Sequence, residues 1–202
     1  MKRKILAIVL AGAAACSLAA CGTGSEGAVF SAAAASEISS SVKEGTDMKQ
    51  SEEQESAKRT ASQGALMQTE DKAVATRVPP EHGTKIRIRF GDSAVINGVL
   101  NDSETAQALI KKLPYTVRMS RYSHDFCGIT EELPYKETEV HYGWLNGDID
   151  YAADAPYFTI LFKDEENSEQ YGCQVNIGVI TSPIADIDAL HGSYKVTVEL
   201  AE

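Results

Sequence analysis

Residues 118–126, RMSRYSHDF, hold the first side chains that could do chemistry. Arg118 and Arg121 stand beside Tyr122 and Phe126, which would set a guanidinium donor against an aromatic wall. Strand alternation from Val117 and Met119 gives the competing reading, in which Arg118 simply faces outward. The same stretch spells Ser123-His124-Asp125, the letters of a nucleophile, its base and an orienting acid. Three consecutive residues do not readily converge, and convergence is what defines that chemistry; no catalytic residue is assigned. Further on, Asp148, Asp150 and Asp154 could attract calcium. The glycine and distant glutamate of a calcium loop are missing, so a solvated acidic face is expected. Tyr142, Trp144, Tyr151 and Tyr157 could line a groove for a peptide or glycan; in strands such aromatics also serve as core or cross-strand pairs.

Four histidines, His82, His124, His141 and His191, occur without an HExxH or a Cys-x-x-Cys. A zinc set of His124, Cys127, His141 and Cys173 has no paired spacing to support it, and neither a metal nor a cofactor is expected. Cys127 and Cys173 could bridge in an oxidising compartment or remain separate thiols, because sequence does not give their separation.

The amino-terminal residues decide the compartment. Lys2, Arg3 and Lys4 precede an apolar run from Ile5 to Ala15 that is too short to span a bilayer. Leu18-Ala19-Ala20-Cys21, followed by Gly22, resembles a bacterial lipobox, in which small residues admit the peptidase and the cysteine thiol is acylated. The expected chain therefore has a lipoprotein signal peptide at 1–20 and a lipid on Cys21, placing it on the extracytoplasmic side of the cell membrane. Two acyl chains suffice for stable anchoring. Cys16, with Ala13 in the place of Leu18, is a weaker match. An ordinary signal peptide cut near Ala20 and an uncleaved anchor are the alternatives.

The formal net charge is −10, with the acidic excess concentrated after residue 83. Such a surface repels phosphate backbones and anionic lipid, which excludes nucleic acid as a partner and leaves the lipid as the route to the membrane. From residue 21 to 83 the composition is Ser, Ala, Glu, Gln, Lys and Thr with few large apolar groups, and it predicts a disordered linker. A flexible chain of that length has an r.m.s. span of roughly 40 Å, from about 5–6 Å × √n.

The elements that must position these side chains begin at residue 84. KIRIRF alternates, with Ile86, Ile88 and Phe90 on one face, and AVINGVL follows after a Gly91-Asp92-Ser93 turn. Asn101 and Glu104 read as a capping box opening a short helix whose Ala106, Leu109, Ile110 and Leu113 make one stripe, ended by Pro114. YTVRM, a hairpin turning at Asn146-Gly147 into YFTILF, QVNIGVI and SYKVTVEL supply further strands, and Thr181-Ser182-Pro183 opens a second short helix or turn. Six to eight strands in this length predict a mainly β domain at 84–202, a small closed or nearly closed barrel.

The order IRIRFGDSAVINGVLNDSETAQALIKKLPYTVRMSRY, GDIDYAADAPYFTILFKD and QVNIGVITSPIADIDAL resembles the bacterial cyclophilin-like fold proteins. Leu113-Pro114, Met119 with Tyr122, Gly147-Asp148-Ile149 and Gly178 with Ile180 carry the likeness. It implies a cyclophilin-type β-barrel over nearly all of residues 85–200. True cyclophilins rotate prolyl bonds with the arginine of a Phe-His-Arg segment followed by Phe-Met-x-Gln-Gly-Gly, and neither segment is present. The expected function is therefore non-catalytic binding of a peptide, protein or small ligand, with Arg118, Arg121, Tyr122, Phe126, Tyr142, Trp144, Tyr151 and Tyr157 as groove candidates. The alternative is a weak peptidyl-prolyl isomerase acting on exported proteins.

Overall fold

The computed structural model describes residues 59–202 apart from Thr69. The lipobox, Cys21 and most of the expected linker lie outside the described residues. Eight strands close a barrel: β1 (Thr84–Phe90), β2 (Ala94–Leu100), β3 (Tyr115–Arg121), β4 (Asp125–Ile129), β5 (Asp148–Ala152), β6 (Tyr157–Leu161), β7 (Gln174–Ile180) and β8 (Ser193–Leu200). Their order around the barrel is β1-β2-β7-β5-β6-β4-β3-β8, and β1 pairs with β8 to remove the last edge. All of the named pairings are antiparallel.

Alternation fills the barrel. Ile86, Ile88 and Phe90 of β1 meet Ile96 and Leu100 of β2 and Val196 and Val198 of β8 in one buried cluster, as the period-2 pattern requires. Glycines let strands approach closely: a Cβ on Gly178 would stand 2.5 Å from the Val99 carbonyl oxygen. Helix α1 (Glu104–Ile110) lays Ala106 and Leu109 on the core. Its cap differs from the expected box. Ser103 is the N-cap, accepting from the Ala106 amide at 3.2 Å, while the Asn101 side chain accepts from the Ser103 amide at 3.1 Å and turns the chain into the helix. Helix α2 (Ile184–Asp188) buries Ile184 and Ile187.

Two further expectations change. Asn146-Gly147 does not turn the hairpin of β5 and β6, whose turn is at residues 153–156; it leads the chain into β5, with Gly147 at φ 98°. The second concerns residues 59–83, expected as linker. These residues form a strap over the outer face of the barrel. The Ala61 amide donates to the Tyr142 carbonyl at 2.9 Å, the Thr76 amide to Asn146 at 2.7 Å, and the Ile184 amide to Ala73 at 3.0 Å. The strap folds on itself through a bridge between Met67 and Arg77. Its larger apolar residues Leu66, Met67 and Val78 are exposed, while the small Ala61 and Ala75 are buried against the barrel. A Cβ on Gly147 would stand 2.2 Å from that of Ala75, so close approach of strap and barrel depends on glycine there.

Candidate functional site

The strap creates the site by covering β5 and β7. In β5, Ile149 and Tyr151 point into the core, which turns Asp148 and Asp150 outward. An outward carboxylate is ordinarily solvated, yet both aspartates are fully buried because Arg77 and its neighbours lie over them. The expected solvated acidic face is thus corrected to a covered one at Asp148 and Asp150, while Asp154 is exposed as expected. Arg77 holds Asp148 with a bidentate fork, Nε to Oδ1 at 2.7 Å and Nη2 to Oδ2 at 2.9 Å. The Leu145 amide also donates to Asp148 at 2.9 Å.

Asp150 has a different environment. Asn176 of β7, its register partner, donates to Oδ1 at 2.9 Å, while Oδ2 is buried without a partner. Burial pushes its pKa well above the usual carboxylate range, and the charge on Asp148 adds to this. The fork thus sets a negative charge on Asp148 against Arg77, and burial favours the protonated form of Asp150. Asn176 in turn accepts from the Asn101 side chain at 3.2 Å, linking the start of α1 to the buried acid.

Beside this network lies a hollow of about 420 Å³. The strap contributes Arg59, Thr60, Ala61 and Arg77; the turn into α1 contributes Asn101, Asp102 and Ser103; β7 contributes Asn176. The remaining wall is Lys136, Glu139 and His141, in and on either side of a 3-10 turn at Glu137–Glu139. His141 is 5% exposed, and its Nδ1 lies 3.4 Å from the Tyr142 carbonyl oxygen while Nε2 has no partner. Burial holds its pKa below the ordinary imidazole value, with Asp148 opposing. The volume is that of a small-ligand pocket, the walls are polar, and His141 offers a buried nitrogen without a partner.

The eight residues singled out from sequence do not share one groove. Phe126 and Tyr151 are core residues, and the Tyr151 hydroxyl accepts from the Leu133 amide at 3.3 Å. Trp144 is buried, donates from Nε1 to the Lys163 carbonyl at 2.8 Å, and forms a three-ring cluster with His124 and Tyr171, at 4.7 and 5.3 Å between centroids. Tyr142 runs alongside the strap and lines a small crevice with Trp144. Arg121 is committed to α2: it donates to the Asp188 and Leu190 carbonyls at 3.1 Å and to the Asp188 carboxylate at 2.7 Å. Its guanidinium also stacks 4.7 Å from the Phe162 ring centroid. Arg118, Tyr122 and Tyr157 do meet, around an open outer hollow of about 360 Å³ with Cys127 and Ile129.

The Ser123-His124-Asp125 run does not make a triad. The Ser123 hydroxyl and the Asp164 carboxylate both approach the same ring nitrogen of His124, at 3.1 and 3.8 Å, whereas a relay needs one on each nitrogen. Cys127 and Cys173 are free thiols, and burial together with Asp125 pushes Cys127 up to about 11, away from reactive thiolate. Among the described residues no cluster of three or more His, Cys, Asp or Glu forms that could hold a metal. Arg59, Arg77, Asn101, Glu139 and Asn176 were not legible as site residues, and Asp150 was read only as surface charge. The one local signal was the two aspartates at i and i+2 in an otherwise apolar strand.

The chain belongs to the cyclophilin-like family, whose model matches residues 88–199. The match spans the barrel from β1 into β8 and leaves out the strap. Among solved structures, a hypothetical protein from Archaeoglobus fulgidus, determined in solution, is 23% identical over 60% of this chain and 98% of its own, with a TM-score of 0.49. No curated protein matches the chain.

Proposed function

We propose that this chain is a lipid-anchored cell-envelope lipoprotein whose cyclophilin-like domain binds a small ligand or peptide end in the strap-capped hollow, without turning it over. The observation that carries this reading is the buried His141 Nε2, unpartnered on the wall of a polar hollow of about 420 Å³. An unmet buried acceptor costs about 1–3 kcal/mol, and a bound donor group would recover it. Anchoring rests on the residues around Cys21. Acylation there would put the chain in the membrane fraction, and Cys21→Ser would release it to the soluble fraction.

A weak prolyl isomerase is the second reading, and one observation favours it. Arg118 lies on a hollow whose other walls include the exposed Tyr122 and Ile129 and the partly exposed Tyr157, a guanidinium beside apolar surface. The two readings separate in one titration of the full chain, isotope-labelled for NMR, with X-Pro peptides and a set of small polar compounds. Binding predicts shifts at His141 and Asn176 without faster cis/trans exchange. Accelerated exchange that disappears in Arg118→Ala would establish the isomerase instead.

A further inference from the structure

The polar hollow is chemically asymmetric between floor and rim. Two buried acceptor atoms on its wall lack donors, Glu139 Oε2 and His141 Nε2. The carbonyl of Tyr142 can only accept, so the contact with His141 Nδ1 places the ring proton there and leaves a lone pair on Nε2. Burial keeps that ring neutral. The other Glu139 oxygen, Oε1, is 3.4 Å from Lys136 Nζ, so the carboxylate is partly matched at one oxygen and unmatched at the other. The charge of Arg77 is already matched by Asp148, which takes Nε and Nη2, so only Nη1 is left to meet a ligand.

The rim carries more cation than anion, although Asp102 is also exposed there. Arg59 is exposed, and the Lys136 side chain is 58% exposed. A ligand that satisfies the hollow must therefore donate at depth and accept at the rim. A neutral polyol could donate to both buried atoms but would bring no charge to the rim, where Arg59 donates to the Thr138 carbonyl at 3.2 Å and Lys136 lies 3.4 Å from Glu139 Oε1. An anion alone would face the unmatched carboxylate oxygen.

We infer that the hollow takes a small zwitterion, its ammonium directed to Glu139 and His141 and its carboxylate to Arg59 and Lys136, as in a free amino acid or a short unblocked peptide. This rests on the reading of the hollow as a ligand site. The ammonium makes a charge-assisted hydrogen bond to Glu139 Oε2 and an ordinary one to His141 Nε2, with its remaining proton free for Asn176 or water.

The test is a titration of the isotope-labelled full chain with alanine, dialanine, N-acetyl-alanine, N-acetyl-dialanine and glucose, following the His141 ring nitrogens and the Asn176 amides. Alanine or dialanine should shift these signals, the first identifying a free amino acid and the second a peptide end. Acetylation of the amine should weaken binding at least about tenfold. Glu139→Gln, on a partly exposed turn where folding tolerates it, should weaken the unblocked compounds by about tenfold as well. Equal binding of acetylated and free compounds, or no effect of Glu139→Gln, would overturn the zwitterion assignment while leaving a ligand site in place. Glucose binding in the absence of amine binding would do the same. No shift with any of the five compounds would overturn both the assignment and the ligand site.

Discussion

The guanidinium of Arg77 closes a fork on both carboxylate oxygens of Asp148, at 2.7 and 2.9 Å, across seventy-one residues of sequence. The Asp148 side chain is fully buried and that of Arg77 is 16% exposed, so the pair joins strap to barrel mostly away from solvent.

Breaking that pair on one side leaves the other charge buried. Arg77→Met should destabilise the domain by about 3–5 kcal/mol, the usual cost of an uncompensated buried charge. The double variant Arg77→Met with Asp148→Asn should recover a large part of the loss. Urea unfolding of the two single variants, the double variant and the parent measures the coupling directly, and additive losses would mean the two side chains do not act as a pair.

Asp150 gives stability an unusual pH dependence. Its folded-state pKa is raised by burial first and by Asp148 second, so the folded state keeps a proton that the unfolded state releases near the ordinary value of 3.8. The unfolded state binds fewer protons above that pH, and the contribution of this group to stability falls as pH rises from about 3.8 to the raised folded value. Asp150→Asn imitates the protonated acid and keeps a partner for Asn176. It should match the parent near pH 3.8 and become progressively more stable than the parent toward neutral pH. Unfolding free energies at a series of pH values test this; a gap that stays constant with pH would rule it out.

Trp144 is a structural residue on this geometry. Trp144→Ala should cost about 3–5 kcal/mol through lost packing and the lost bond to Lys163. Trp144→Phe should cost less while leaving ligand shifts at His141 in place. Thermal unfolding and a ligand titration of the phenylalanine variant check the two halves of that statement. Loss of binding in a stably folded Trp144→Phe chain would return the tryptophan to the site.

Arg121 caps the end of α2, and its removal leaves the Asp188 and Leu190 carbonyls short of donors. Arg121→Ala should cost about 1–3 kcal/mol in stability. It should not change ligand binding at the strap-capped hollow, which lies among other residues. A stability change within error, measured by urea unfolding, would show that those three hydrogen bonds are not formed in solution.

The barrel was legible in the sequence because its signals are local and repetitive. Ile86, Ile88 and Phe90 announce a half-buried strand by period alone, and Ala106 and Leu109 announce a helix face. The likeness carried by Leu113-Pro114 and Gly147-Asp148-Ile149 fits the cyclophilin-like family assignment. The strap was not legible, since it contacts the barrel through backbone hydrogen bonds and small alanines, and neither leaves a hydrophobic period. Without the strap, Asp148 and Asp150 could only be read as exposed, and Arg77 as one charge in a polar run. The aromatic groove failed for a related reason: Phe126, Trp144 and Tyr151 are large and apolar enough to be used inside, and side-chain type alone does not tell core from groove.

Native-state hydrogen exchange of the strap amides tests most directly whether residues 59–83 are part of the folded domain that builds the site. The Ala61, Thr76 and Val78 amides donate to Tyr142, Asn146 and Leu66 at 2.7–2.9 Å. They should exchange far more slowly than an unstructured chain, with protection at Thr76 and Ala61 reduced in Arg77→Met. Exchange of all three at the unprotected rate, with the barrel strands still protected, would mean that the strap is a free linker and that Asp148, Asp150 and the hollow are open to water.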